Sequence, residues 1–296
     1  MRIDLHVHSA VSDGTDTPTE VVAAALATGL DVLALTDHDT TGGWDEAAGA
    51  AARTGRPLQL VRGAELSCVT PGPAGTPPIS LHLLAYLFDP AEPELRERRS
   101  LLRDGRVGRG RAIVDRLAAA GTGVTWEQVR RISGDGVVGR PHIAAALVER
   151  GHVASVSDAF SDQWLGTASP FYVDKPELDA TEAVRLVRAA GGVPVVAHPF
   201  AALRGRIVDD DTVRALAAAG LAGLECDHPD HDAAARERTR RLAAELGLFT
   251  TGSSDYHGSR KVQGLGACTT TPEAYAALLD QVDPARGGLP VLRFGG

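Results

Sequence analysis

The sequence predicts an α/β fold: a distorted (β/α)7 barrel, TIM-like, interrupted after its fourth strand by a helical insertion. Two observations predict it. Short apolar runs alternate with segments of helical spacing through most of the 296 residues, the order expected of βα units around a parallel sheet. Histidines and carboxylates also stand just after run after run, at the end of the strands where barrels of this kind assemble their sites. A doubly wound open sheet, the second choice, would gather such groups at one switch point rather than around a ring.

Residues 1–8 read as strand one. Alternation puts Asp4, His6 and His8 on one face and Ile3, Leu5 and Val7 on the other. Residues 18–28 form a helix, with Thr17 as its cap, Pro18 in its first turn and Gly29 at its end. Residues 31–37 are a continuous apolar run, typical of a parallel strand buried on both faces. A helix at 44–53 stops near Gly55 and Pro57, strand three covers 58–66, a Pro- and Gly-rich loop covers 68–78, and strand four covers 79–88. Helical spacing then takes over at 91–120, 125–131 and 141–150, and 95–170 reads as an insertion into a barrel formed by 1–94 and 171–296. Alternation resumes with helices at 180–190, 210–219, 232–246 and 272–281 and strands at 193–197, 221–226, 248–254 and 289–293.

Composition narrows the function. Hydrophobic residues make up 44% of the chain, enough for a sizeable core, and aromatics only 4%. No apolar run approaches a membrane span and no cationic leader precedes one, so a cytoplasmic protein with no membrane partner is expected. Cys68, Cys226 and Cys268 lack CxxC spacing and read as reduced thiols. The net charge of −8 argues against coating duplex nucleic acid. The charge is uneven, however: between Arg96 and Arg140 eleven arginines face five acids. A basic segment beside a site suggests an anionic substrate, although a solvated helical face would look the same.

The groups at the strand ends are His6 and His8 in DLHVHS, Asp13 in SDG, His38 in TDHD, Glu65 in GAELS, His82 in SLHLL, His198 in VVAHP, and Asp255 and His257 in SSDYHG. Any one histidine is more often a core or surface residue. The set is different, because independent accidents would not all fall at the same end of successive strands. Imidazole nitrogens with carboxylate oxygens are the donors that Mn, Fe or Zn prefer, so a cluster of divalent metals is the expected occupant. Asp4 and Asp37, and less clearly Asp39, are candidates to orient the imidazoles.

Taken together and in this order, these motifs resemble the PHP family (polymerase and histidinol phosphatase domain). The resemblance spans the chain outside the insertion. It implies a distorted (β/α)7 barrel, a site holding two to three metals with Mn foremost, and phosphoester hydrolysis. It also implies ligand sets: His6, His8, Glu65 and Asp255 for one metal, a shared Glu65 with His82 and His198 for a second, and Asp13, His38 and His257 for a third. The insertion, with GRPHIA at 139–144, is similar to that of members acting on small nucleotides, namely nucleoside 3′,5′-bisphosphate phosphatases and 5′-to-3′ exonucleases on short RNA.

The chemistry follows from the donor set. Three carboxylates against three divalent ions leave a positive excess that a phosphate dianion and a hydroxide would balance. A metal-bridged hydroxide would be the nucleophile, with no catalytic side chain beyond it. Arg140 and His142 are the expected substrate contacts: arginine offers a planar fork for phosphate, and Pro141 places both near a helix start. Arg106, Arg109 and Arg111 are weaker candidates, and His152, His228 and His231 are assigned no role. The expected partner is a small phosphorylated nucleotide, with short single-stranded RNA or DNA ends as a further one. Phosphatases of histidinol phosphate or a sugar phosphate, or a cyclic phosphodiesterase, remain alternatives. A non-catalytic accessory module of a polymerase is the alternative of another class, and the absence of an attached second domain argues against it.

Overall fold

Strand β1 (Ile3–Val7) is buried on both faces and lies parallel to β2 (Val32–Leu35), which lies parallel to β3 (Leu58–Thr70). The computed structural model describes residues 1–72, 76–134, 136, 138–174 and 177–295. Between the first strands run α1 (Pro18–Ala27) and α2 (Trp44–Thr54). Helix α1 begins where Thr17 accepts the Glu20 amide and the Glu20 carboxylate accepts the Thr17 amide, a reciprocal cap that satisfies two otherwise unpaired donors.

Strand β4 (Ile79–Tyr86) departs from the expected parallel pattern. It pairs antiparallel with β3 and with β6 (Val193–Ala197). The reason is the connection: β3 ends at Thr70 and β4 starts at Ile79. A link that short turns the chain back beside itself but cannot carry a crossover helix to a parallel neighbour. Parallel order resumes from β6 to β7 (Gly223–Asp227) and β8 (Phe249–Gly252). The sheet runs β1-β2-β3-β4-β6-β7-β8, with β5 (Leu178–Asp179) and β9 (Leu292–Phe294) added against β3.

The two edges of that path meet. Val7 bridges Tyr256 in parallel, His8 donates its amide to the Tyr256 carbonyl at 2.9 Å, and Asp4 accepts the Ser254 amide at 3.1 Å. The result is a nearly closed barrel. Helices α6 (Ala180–Ala189), α7 (Asp210–Ala218), α8 (Ala233–Leu246) and α9 (Pro272–Leu279) complete the chain.

Between β4 and β5 stand α3 (Pro93–Ala119), α4 (Trp126–Ser133) and α5 (Arg140–Glu149). Helix α3 belongs to two cores. Leu95 and Leu102 pack in the main apolar cluster, whereas Ile113, Val114 and Leu117 join a separate cluster with Val129, Ile143 and Leu147. Among the described residues no helix is long and apolar enough to cross a membrane.

Strict alternation fails in β1. Ile3 and Leu5 lie in one core cluster and Val7 in another. The register with β2 slips between Asp4 and Val7, so one extra residue reverses the parity. The last segment also breaks phase: β8 ends at Gly252, and Asp255 adopts a left-handed φ of 49°. The strand expected at 248–254 therefore stops short of its expected end.

Candidate metal centre

Glu65 is the hub of the site. It lies mid-way along β3, buried, where β3 passes from β2 to β4 as partner. Its Oε1 is 2.7 Å from His82 Nδ1 and 3.3 Å from His198 Nε2. Its Oε2 is 3.1 Å from His8 Nε2, 3.2 Å from His38 Nδ1 and 3.3 Å from His6 Nε2. Five imidazoles therefore face one carboxylate. Asp255 Oδ1 stands 3.4 Å from each of His6 Nε2, His8 Nε2 and His257 Nδ1. Asp13 closes the far side, 3.3 Å from His257 Nε2 and 3.7 Å from His38 Nε2. All nine side chains expected at the strand ends meet in this one place.

Their spacing separates into three sets of donor atoms, each set within 4.8 Å: His8, Asp13, His38 and His257; His6, His8 and Asp255; His38, Glu65 and His82. Within the cluster, His6 Nε2 and His8 Nε2 are 3.0 Å apart, yet both point at the same carboxylate oxygens. His8 Nδ1 and His38 Nδ1 are buried without a hydrogen-bond partner; His38 Nδ1 is near Glu65 but misaligned for a bond. Nitrogens that converge on carboxylates, with lone pairs unspent, fit divalent cations better than they fit one another.

The electrostatics of the cation-free cluster agree. Burial opposes ionisation of Glu65, but His82, His38 and His6 outweigh it and hold the carboxyl well below its usual range. Asp13 is lowered in the same way against burial by His38 and His257. Burial disfavours the charged form of His8, yet Asp255 and Glu65 raise its pKa to about 9. His6, opposed by burial and favoured by Glu65, Asp255 and Glu225, is raised well above its ordinary value. His38 goes the other way: burial, joined by Arg106, keeps it neutral. Protons are standing where positive charge is wanted.

Among the described residues Asp4 and Asp37 make no hydrogen bond to an imidazole ring. The bulge in β1 takes Asp4 out of the imidazole row, and its carboxylate accepts from the Ser254 hydroxyl and amide, the Gly266 amide and, at 3.4 Å, the backbone amide of His6. Asp37 binds the hydroxyls of Ser9 and Ser12 and the Ser9 amide, fixing the loop that carries Asp13. Asp39, at φ 57°, pairs with the Arg106 guanidinium and with Ser67. The group that orients an imidazole is Glu225, absent from the sequence reading. Its Oε1 lies 3.0 Å from His6 Nδ1, and its Oε2 accepts the His198 amide at 2.8 Å. The signal was present, since Glu225 interrupts the apolar strand LAGLEC as Glu65 interrupts LVRGAEL.

His228, given no role in the sequence reading, is buried in the cluster with Nε2 3.2 Å from Asp255 Oδ2, where Lys261 Nζ also binds. His231 stays structural, bonded to the Cys226 carbonyl and the Phe200 amide. His152 is exposed and bonds the Thr122 carbonyl. Arg140 reaches the Leu165 carbonyl at 3.1 Å and lies over Phe160; burial lowers its pKa, and Arg106 adds to the effect. His142 accepts the Gly139 amide on Nδ1, and burial with the nearby Arg260 charge lowers its pKa to about 4. Arg109 bonds the Val173 carbonyl, and Arg111 lies over Trp126.

The PHP domain model matches residues 4–99. The chain is 36% identical over 257 residues to a 3′,5′-nucleoside bisphosphate phosphatase of Chromobacterium violaceum, covering 86% of this chain and 87% of that one. It is 32% identical over 262 residues to a 5′-3′ exoribonuclease of Haemophilus influenzae, covering 86% and 90%. A crystal structure of a candidate metal-dependent phosphoesterase of Bifidobacterium adolescentis superposes with a TM-score of 0.87 at 36% identity, covering 95% of this chain and 96% of that one.

Proposed function

Because the chain belongs to the PHP domain family, we propose that it is a metal-dependent phosphoesterase of small nucleotides, removing phosphate from a nucleoside 3′,5′-bisphosphate or acting on short 5′-phosphorylated oligonucleotides. The observation that carries the reading is the buried convergence of five imidazoles on Glu65, with Asp13 and Asp255 flanking. In this reading His6, His8, Glu65 and Asp255 hold one metal, Glu65 with His82 and His198 a second, and Asp13, His38 and His257 a third. The donor sets support the grouping in part, since His8 and His38 each reach two of them. Mn is the proposed metal.

The donor set would hold divalent cations, which would supply Lewis acidity and activate a water. The chain's residues set the rest. Glu225 holds the His6 ring and the His198 backbone. Lys261 and His228 occupy Asp255 Oδ2, which leaves Oδ1 toward His6, His8 and His257. Arg106, tied to Asp39 and Ser67, stands close enough to Asp13 and Glu65 to feel their charge. Arg106, Arg109 and Arg140 repel one another in the interior, where burial and Arg140 lower Arg109 to about 10. Clustered buried cations of this kind attract a polyanion. In this reading the segment 95–170 covers the site, Arg140 and His142 bind substrate, and the enzyme works in the cytoplasm.

Mn-loaded protein is expected to release phosphate from adenosine 3′,5′-bisphosphate with a higher kcat/KM than from histidinol phosphate, measured by phosphate release. The reverse order rejects the nucleotide reading.

A further inference from the structure

A cavity of about 550 Å³ opens beside the metal centre, between the β1–α1 loop, α4–α5 and the turn after His257. Its polar wall includes Ser157, His142 and Arg260, with Thr15, Ser133, Ser155 and Ser259 around them. Among the described residues its lining has no carboxylate and no Phe, Tyr or Trp. Arg260 bonds the Asp13 carbonyl at 2.9 Å, and among the described residues it has no salt-bridge partner. Asp13 turns its carboxylate the other way, to His257 and His38. Because His142 Nδ1 accepts the Gly139 amide, its Nε2 carries the ring hydrogen and is a donor. The turn that presents Arg260 is tightly specified: Gly258 has φ 68°, a Cβ there would fall 1.9 Å from Thr15 Oγ1, and the Ser259 amide bonds that same oxygen at 2.9 Å.

We propose that this cavity seats a second, non-reacting phosphate of the substrate, and that Arg260 is the residue that selects for it. The inference rests on the phosphoesterase reading above and deepens it. The Ser157 hydroxyl, an imidazole N–H and a guanidinium with no carboxylate partner among the described residues offer donors, which suits an anion with many acceptor oxygens, whereas Thr15, Ser133 and Ser259 already give their hydroxyl hydrogens to Asp16 Oδ1, the Arg130 carbonyl and Thr15 Oγ1. The Arg260 charge disfavours a cation, and the lack of large aromatic faces among the described lining residues disfavours a stacked base. One end of Arg260 is held by the backbone of Asp13, a candidate metal ligand. The second phosphate would therefore lie within the span of one nucleoside from the reacting one.

The test compares adenosine 3′,5′-bisphosphate with adenosine 3′-phosphate and adenosine 5′-phosphate, using the full-length Mn-loaded protein, its Arg260→Gln variant and a Ser157→Glu variant. Ser157 lies at the exposed rim, so that variant tests the cavity even where Arg260→Gln fails to fold. Both variants are expected to lower the preference for bisphosphate over monophosphate by about tenfold or more, through KM rather than kcat, Arg260→Gln by loss of one charge-assisted hydrogen bond and Ser157→Glu by placing a like charge beside the phosphate. Unchanged preference, or an equal loss on every substrate, overturns the inference while the phosphoesterase reading stands. A wild-type enzyme inactive on all three substrates overturns that reading, and this inference with it.

Discussion

Single residues decide how the imidazoles are aimed. Glu225 is held well below the usual carboxylate range: burial opposes its charge, but His6, His228 and His198 prevail. It therefore stays anionic and keeps His6 Nδ1 protonated, leaving Nε2 free to act as donor atom. Glu225→Gln is expected to weaken metal binding about 10–100-fold, read by calorimetric titration, with the secondary structure intact by circular dichroism; unaltered affinity would show that Glu225 does not position His6. At this scale the sequence was most informative where spacing was local. His6, His8 and Asp13 announce themselves within one short stretch. Glu225, His228, Lys261 and Arg260 did not, because their roles depend on neighbours far away in the chain, and an acid or a histidine after one more strand looks ordinary by itself. Three of the four left-handed non-glycine residues among those described, Asp39, His198 and Asp255, lie in or beside the cluster. Such backbone is retained where surrounding contacts over-determine it, and no periodicity argument could have revealed it.

Among the elements, α3 and β4 matter most. Helix α3 was legible as a helix from its leucines, but its division between two apolar clusters was not, since that depends on what packs against each half. Arg106 projects from the middle of α3 into the ion pair with Asp39, so it ties the helix to the barrel next to His38. Arg106→Met removes the charge and leaves buried Asp39 with only Ser67. The expected loss is about 3–5 kcal/mol of stability, the usual result of breaking a buried pair from one side. Chemical denaturation measures it, and a loss below about 1 kcal/mol would mean that water replaces the guanidinium. The antiparallel course of β4 escaped the sequence reading because an apolar strand carries no mark of its direction; only the short connection from β3 does.

For the molecule as a whole, stability is linked to protons and cations through the same cluster. His6 and His8 have raised pKa values, His8 near 9. Their protonation stabilises the cation-free fold fully below the unfolded-state value of about 6.5, and that contribution is lost as pH rises through the folded value. Between about pH 7 and 9 the cation-free protein should therefore lose thermal stability. With saturating Mn the decline should vanish, because metal replaces the protons and its uptake releases them. Melting curves with and without chelator over that range check both statements, and a flat cation-free profile would contradict them. The barrel class and the location of the site were readable because both follow from alternation and from which end of each strand is polar. The closure was not, since it rests on Asp4 reaching Ser254 and Gly266. That clasp also sets a timetable for biosynthesis. A growing polypeptide cannot join its first strand to its last until translation has passed residue 266, and the acid and imidazole at 255 and 257 emerge scarcely earlier. The donor sets that include Asp255 or His257 are therefore completed late, whereas His38, Glu65 and His82 are all synthesised early.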